Sequence, residues 1–248
     1  MRVLITGAAG FLGHGVVTAF ADHHDLKLFD VVPAEGPGEI IVGSVTDLEQ
    51  VREATRDVDA LVIGHMAPRG KGYYQTPAIP FEVNVTGTVN LYTAAVEHGI
   101  KKVALISSIG AVNAHRQAGT FLSVDLPLQC GGTHPYGLTK VCQEVIAQQY
   151  YLNEGIGTGI LRPAYICDAE GKTDKYGRQA SEANWQYIDR RDIGKAARLA
   201  VELDDLQCEA FYVLGHPGAA EHADMARTRD RLGWTPDYDF TNFAQASS

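Results

Sequence analysis

Short unbroken apolar runs recur along the chain, separated by stretches in which apolar and polar residues mix at helical spacing. The runs are 2–6 (RVLIT), 26–30 (LKLFD), 40–42 (IIV), 59–64 (DALVIG), 102–107 (KVALIS) and 157–162 (GTGILR). They are short and rich in Val, Ile and Leu, so they predict strands; their lack of polar alternation predicts burial on both faces. Between them the spacing predicts helices over about 11–23, about 48–56 behind an Asp47 cap, 81–98 stopped by Gly99, and about 136–153. Residues 31–39, 68–80 and the irregular stretch up to 134 read as loops. The polar segment 167–184 (CDAEGKTDKYGRQASEAN) is expected to be a loop or lid, and 241–248 to fray. Strands alternating with helices make an α/β chain whose parallel sheet is covered by helices on both faces.

Composition narrows the function more than the fold. At 248 residues and 45% apolar, the chain has enough apolar side chain for a large core within one domain, 1–248. The net charge is -9, and the longest basic clusters are the pairs Lys101-Lys102 and Arg190-Arg191. That argues against duplex nucleic acid or an anionic membrane as the main partner. No apolar run approaches the length of a membrane span, and the first residues enter a strand without a signal-peptide pattern. The cysteines Cys130, Cys142, Cys167 and Cys208 are scattered with no metal-ligand spacing. The expectation is a reduced, cytoplasmic protein with no metal site.

The first run leads directly into TGAAGFLGHG, which places Gly7, Gly10 and Gly13 three apart. Glycines in a strand-to-helix turn let backbone approach a phosphate, and the helix N-terminus adds free N–H groups and the positive end of its dipole. Gly7 would make the tight turn, Gly10 admit a pyrophosphate and Gly13 let helix pack on strand. The spacing is G-x-x-G-x-x-G, so the generic fingerprint is met only approximately. Asp30 closes the second strand at the distance where an acid meets the adenosine ribose. An acid there repels a ribose phosphate, and no arginine follows it, so the expected cofactor is NAD.

Downstream, HPYGLTK opens a helix with Tyr136 and Lys140 four apart, hence side by side on one face. A neighbouring ammonium favours the phenolate. The pair is therefore suited to moving a proton to or from a substrate hydroxyl.

Together these stations resemble the extended short-chain dehydrogenase/reductase family, also called the NAD-dependent epimerase/dehydratase family. TGAAGFLG is similar to its cofactor turn, which implies contacts from Ala9, Phe11 and Leu12 beside the glycines. NVTGTVNLYTAAVEHGIKKVALISS (84–108), YGLTK, LRPAYI (161–166), YIDRRDIGKAARLAVE (187–202) and RLGWTPDYDF (231–240) resemble its later landmarks. The resemblance implies a Rossmann-like, doubly wound sheet, with 1–162 mostly the NAD-binding core and 163–248 mostly a small substrate-binding part. It implies further cofactor contacts from Ser44 and Val45, from Met66, Ala67 and Pro68, from Ile106, and from Pro163 and Ile166. His65 and Asn84 are expected to bond locally instead of doing chemistry. A third catalytic residue, a Ser or Thr after the fifth strand, is implied at Ser108, with Ser107 as the alternative.

The implied activity is hydride transfer between a secondary alcohol and NAD, with Tyr136 as base, Lys140 holding the phenolate and Ser108 holding the alcohol oxygen. Size and the ending at 221–236 are similar to uronate dehydrogenases, so a free sugar, sugar acid or polyol is expected. Candidate anchors are His115, Arg116, Arg162 and Arg178; Arg162 has the alternative of pairing with a helix carboxylate. A nucleotide-sugar epimerase or dehydratase with tightly held NAD, and a non-catalytic NAD-binding regulator, stay open as alternatives. Apolar faces on 81–98 (Val85, Val89, Leu91, Tyr92, Val96) and 136–153 (Val141, Val145, Ile146, Tyr150), together with the resemblance, imply a homodimer, with burial inside the monomer as the alternative.

Overall fold

Val3, Leu4 and Ile5 are almost wholly buried, as are the apolar residues of 26–30, 59–64, 102–107 and 157–162, so these runs lie inside a covered sheet. The run 40–42 does not, because it forms the edge strand and leaves Ile40 and Val42 exposed. The structure, a computed structural model, describes residues 1–68, 74, 76–179, 182–241 and 243–245. The chain runs β1 (Arg2–Thr6), α1 (Phe11–Phe20), β2 (Asp25–Asp30), β3 (Glu39–Val42), α2 (Leu48–Ala54) and β4 (Ala60–Ile63). One helical turn α3 (Ala78–Pro80) and a π-helical segment (Phe81–Thr86) lead into α4 (Gly87–His98), β5 (Lys102–Ile106) and a 3-10 turn (Ile109–Val112). Then follow the short α5 (Asn113–Gln117), α6 (Pro135–Glu154) and β6 (Gly157–Arg162). The remainder comprises β7 (Tyr165–Asp168), β8 (Thr173–Asp174), β9 (Glu182–Ala183), β10 (Tyr187–Asp189), α7 (Arg190–Glu202), β11 (Cys208–Tyr212), α8 (Met225–Leu232) and β12 (Ala244–Gln245).

Among the described residues, seven strands form one wholly parallel sheet in the order β11-β6-β5-β4-β1-β2-β3. Successive residues of β1 point to opposite faces: Val3 and Ile5 join the core under α1 and α7, Leu4 the core under α2, α4 and α6. The order reverses beside β1, which opens a crevice at the carboxyl ends of β1 and β4. On one face α1 and α7 touch backbone to backbone, because a Cβ on Gly15 would lie 2.5 Å from Arg190 O. The chain after β6 serves both parts: α7 and β11 return to the main sheet, while β10, β7 and β8 make a separate three-stranded sheet.

Several expectations need correction. The helix starting at 11 stops at Phe20, and residues 21–24 turn back, with His23 and His24 donating to Phe20 O. The 81–98 helix is widened at its start, where the Val83 and Asn84 carbonyls take side-chain donors, His65 Nε2 and Thr88 Oγ1. The 167–184 segment is no simple loop. Asp174 gathers the Tyr176 and Arg178 N–H groups, the Tyr165 hydroxyl and the Arg178 guanidinium, and so folds it without an apolar pattern. Burial would raise this carboxyl, but those bonds outweigh it and hold it down at about 2. At the chain's end Ala244–Gln245 pairs with β9 instead of fraying. Parts of the expected loops and tail (69–73, 75, 180–181, 242 and 246–248) lie outside the described residues. No helix among the described residues is long and apolar enough to cross a membrane.

Candidate active site

The turn after β1 works as its glycines require. Gly7 has φ +73°, and a Cβ on it would sit 2.8 Å from His65 Cα. Gly13 packs still tighter, since a Cβ there would lie 2.2 Å from Gly7 O. Gly10 is looser, with only Gly7 O at 3.2 Å, and it faces the crevice. It is the N-cap of α1 and no side chain caps that end, so the first-turn N–H groups stay available to an anion. Asp30 is held in place by Ala9 N at 3.0 Å and Val31 N at 2.7 Å.

The crevice is a cavity of about 390 Å³. Of the expected cofactor contacts, Gly7, Ala9, Gly10, Phe11, Leu12 and Gly13 line it, with Asp30 beside them. Met66, Pro68, Ile106 and Ile166 supply further wall, and Tyr136 and Lys140 close it. Four expected contacts lie off this wall. Ser44 Oγ is within 2.8 Å of Thr46 Oγ1, and Val45 is buried with its carbonyl accepting from Asn90. Ala67 is buried behind Met66, its N–H donating to Asn84 Oδ1, and the Pro163 carbonyl accepts from Ile109 N. Residues that sequence reasoning missed are Val31, Val32, Gly64 and Lys175, while Ser107, named only as the alternative serine, lines the wall as well. The valines carried a signal, two apolar residues directly after the strand-end acid; Lys175 carried none.

Lys140 Nζ donates to Ile106 O at 2.7 Å and lies 6.0 Å from the centre of the Tyr136 ring. Helical spacing thus places phenol and ammonium together against the end of β5. His65 sits beneath them with Nδ1 3.0 Å from Thr6 Oγ1 and Nε2 donating to Val83 O at 3.1 Å. Burial first, and the Lys140 charge second, push its pKa down to about 3, so it stays neutral. Asn84 likewise bonds locally, accepting from Ala67 N and donating to Thr139 Oγ1.

The two serines part ways. Ser107 Oγ donates to Glu144, which also takes Arg162 Nε and Nη2 at 3.1 and 2.7 Å. Ser108 Oγ accepts from Gly110 N at 3.0 Å and lines a second cavity of about 210 Å³. Gly110 lies between Ser108 and Tyr136: a Cβ on it would be 3.2 Å from both Ser108 Oγ and Tyr136 Cε1. Of the expected substrate anchors, Arg162 is 3% exposed and committed to Glu144, the helix-carboxylate alternative, so it does not reach the pocket. His115 Nε2 lies 2.9 Å from Pro127 O, and Arg178 is paired with Asp174 at 2.7 Å; neither lines the two cavities. Among the described residues no group of His, Cys, Asp and Glu is placed to hold a metal.

The sequence model of the NAD dependent epimerase/dehydratase family matches residues 3–183. An NAD-dependent glucose-6-phosphate dehydrogenase from Haloferax volcanii is 26% identical over 97% of this chain and 95% of its own. A uronate dehydrogenase from Pseudomonas putida is 30% identical over 65% of this chain and 59% of its own. Among solved structures, a short-chain dehydrogenase/reductase superfamily protein from Agrobacterium tumefaciens with bound NAD superposes with a TM-score of 0.82. It is 21% identical, with 98% of this chain and 94% of that one covered. Uronate dehydrogenase from the same organism gives a TM-score of 0.74 at 22% identity, covering 96% and 85%. These structural likenesses show the same fold. The glycine turn, uncapped helix end and Asp30 fit a dinucleotide, and with the family match over most of its length the chain belongs to the NAD dependent epimerase/dehydratase family, as an NAD-dependent enzyme of the extended short-chain dehydrogenase/reductase type.

Proposed function

We propose that the protein is a dehydrogenase acting on a secondary alcohol of a free sugar, sugar acid or similar polyol. The observation that carries this reading is the presence of Tyr136 and Lys140 on the wall that also holds the glycine turn and Asp30. Tyr136 Oη takes the hydroxyl proton, and the Lys140 ammonium favours the phenolate that does so. Ser108 Oγ, across Gly110 from the Tyr136 ring, holds the alcohol oxygen; Ser107 is less suited because its hydroxyl is bonded to Glu144. Gly7, Gly10 and Gly13 with the α1 N-terminus hold the pyrophosphate of NAD, and Asp30 the adenosine ribose. NAD, when bound, supplies the two-electron chemistry.

The cavity beside Ser108, about 210 Å³, is below the roughly 300–1,000 Å³ of pockets that hold drug-sized ligands. That favours a single sugar over a nucleotide sugar. The exposed Val89, Val96 and Val145 on α4 and α6 support a homodimer as part of the same reading, which sedimentation would test.

The experiment is NADH formation followed spectrophotometrically across a panel of sugars and sugar acids, with wild type and Tyr136→Phe. Tyr136→Phe should lose about 100-fold or more in kcat while NAD affinity by calorimetry stays within a few-fold. A variant of undiminished turnover sinks the assignment. NAD that survives purification, with no net NADH formed from any free sugar, turns the reading to a nucleotide-sugar epimerase.

A further inference from the structure

Among the described residues, every arginine but one lies within 4.0 Å of a carboxylate. In a chain with 30 acidic and 21 basic side chains such pairing is the expected state. The exception is Arg116. Its Nε donates to Asn113 Oδ1 at 2.7 Å, one turn back on α5, and this bond sets the direction of the fork. The side chain is partly buried. It lines the cavity that holds Ser108, together with Gly110, Asn113, Tyr165 and Gln186. On its other side a smaller hollow contains Trp185 stacked on His222, and Glu221, whose carboxylate stays beyond 4.0 Å.

A half-buried guanidinium without a counter-ion has lost hydration that the single bond to Asn113 replaces only in part. The chain's own net charge of -9 would repel an anionic substrate, and a lone cation beside the reacting groups offsets that locally. The guanidinium fork matches an oxyanion with two parallel bonds, which a lysine cannot do. The rival anchors are engaged: Arg162 by Glu144, Arg178 by Asp174, and His115 by the Pro127 carbonyl.

We propose that Arg116 is the specificity-determining residue of the substrate cavity, binding a carboxylate or phosphate carried by the sugar whose carbinol meets Ser108 and Tyr136. This rests on the dehydrogenase reading for which carbinol reacts, but not for the anion site itself. A neutral sugar would leave the fork unpaired, so neutral sugars bind more weakly than their anionic counterparts.

Calorimetric titration at saturating NAD tests it, using D-glucuronate, D-glucose 6-phosphate and D-glucose as probes on wild type, Arg116→Gln and Arg116→Lys. Wild type should bind one of the two anions more tightly than D-glucose, and the one preferred tells carboxylate from phosphate. Arg116→Gln should weaken that anion about 10- to 100-fold, the loss of a charged hydrogen-bonded pair, with D-glucose and NAD affinities unchanged. Arg116→Lys should recover only part of the loss. Equal anion binding by wild type and Arg116→Gln, D-glucose binding as tight as either anion, or no binding of either anion overturns the proposal. Anion binding through Arg116 without NADH formation supports the site and sinks the dehydrogenase reading; NADH made equally well from anionic sugars by Arg116→Gln does the reverse.

Discussion

Around the glycine turn the contacts are made by backbone. Gly7 N donates to Phe29 O, Gly10 N to Gly7 O and His14 N to Gly10 O, while Gly13 lies against Gly7 O. Beyond the crevice the same task falls to charged side chains. Asp174 folds the β7–β8 hairpin, Asp189 and Glu170 grip Arg191, and Asp168 grips Arg190. The difference is one of kind. A backbone wall needs side chains to be absent, which glycines mark in the sequence; a charged wall needs particular side chains to meet, which the sequence does not mark. The first kind tolerates no added atoms, and the second no lost partner.

The largest effect should come where a charged pair is wholly buried. Glu144 and Arg162 are 0% and 3% exposed, and Ser107 and Tyr212 complete their bonding. Glu144→Gln leaves an uncompensated buried guanidinium, which costs about 3–5 kcal/mol. For a protein of this size that lowers Tm by on the order of 10 °C, readable by calorimetric scanning. Replacing both partners, Glu144→Leu with Arg162→Met, should return much of the loss, because apolar groups leave no charge behind. A single variant within 2 °C of wild type would show that the pair is not what holds β6 to α6.

The backbone wall comes next. Gly13→Ala puts a methyl group 2.2 Å from a carbonyl that cannot swing aside, and should cost about 1–3 kcal/mol by urea unfolding. Gly10→Ala meets the same carbonyl at 3.2 Å and points at the crevice. It should change stability little and weaken NAD instead, read by calorimetric titration. Equal stability losses in the two would erase the distinction between a packing glycine and a cofactor glycine.

This contrast also sets what was legible in the sequence. Six strands of the main sheet follow from apolar runs, and in that sheet β11 alone passed without a forecast because Cys208–Tyr212 begins polar. The wall of the crevice was legible for the same reason: Gly7, Gly13, Asp30, Tyr136 and Lys140 line it and are marked by local spacing. Where an expected contact lies off the wall, hydrogen bonding within the protein engages it. Ser44 had Thr46 and Gln50 at hand, and Ala67 was drawn inward by Asn84. Arg162 reads as a candidate anchor until Glu144, eighteen residues earlier, is seen to occupy it. The π-helical turn at Phe81–Thr86 leaves no trace in apolar spacing, since His65 and Thr88 select it through hydrogen bonds.

The smallest effect should come where the two regions meet. Arg190 opens α7, its Nη1 facing the carbonyl of Phe11 at 3.4 Å and its guanidinium 4.7 Å from that ring, on the first turn of α1. Asp168, on the charged side, holds Nη2 at 2.6 Å. Burial tends to raise the Asp168 carboxyl, but the Gly171 N–H and the Arg190 and Arg191 charges outweigh it, and the pKa falls below the ordinary value. A lowered native pKa contributes stability that is present above the unfolded value, near 4, and is lost as pH falls through the native one. Asp168→Asn keeps the shape and removes the charge. At pH 7 it should cost about 1 kcal/mol and weaken NAD a few-fold, because Arg190 is then free to leave Phe11. At pH 3 the two proteins should be closer in stability than at pH 7, so the gap between their urea midpoints should shrink on acidification. A gap that is constant from pH 7 to pH 3 would mean that the carboxylate's charge does nothing to tie the hairpin to the cofactor turn.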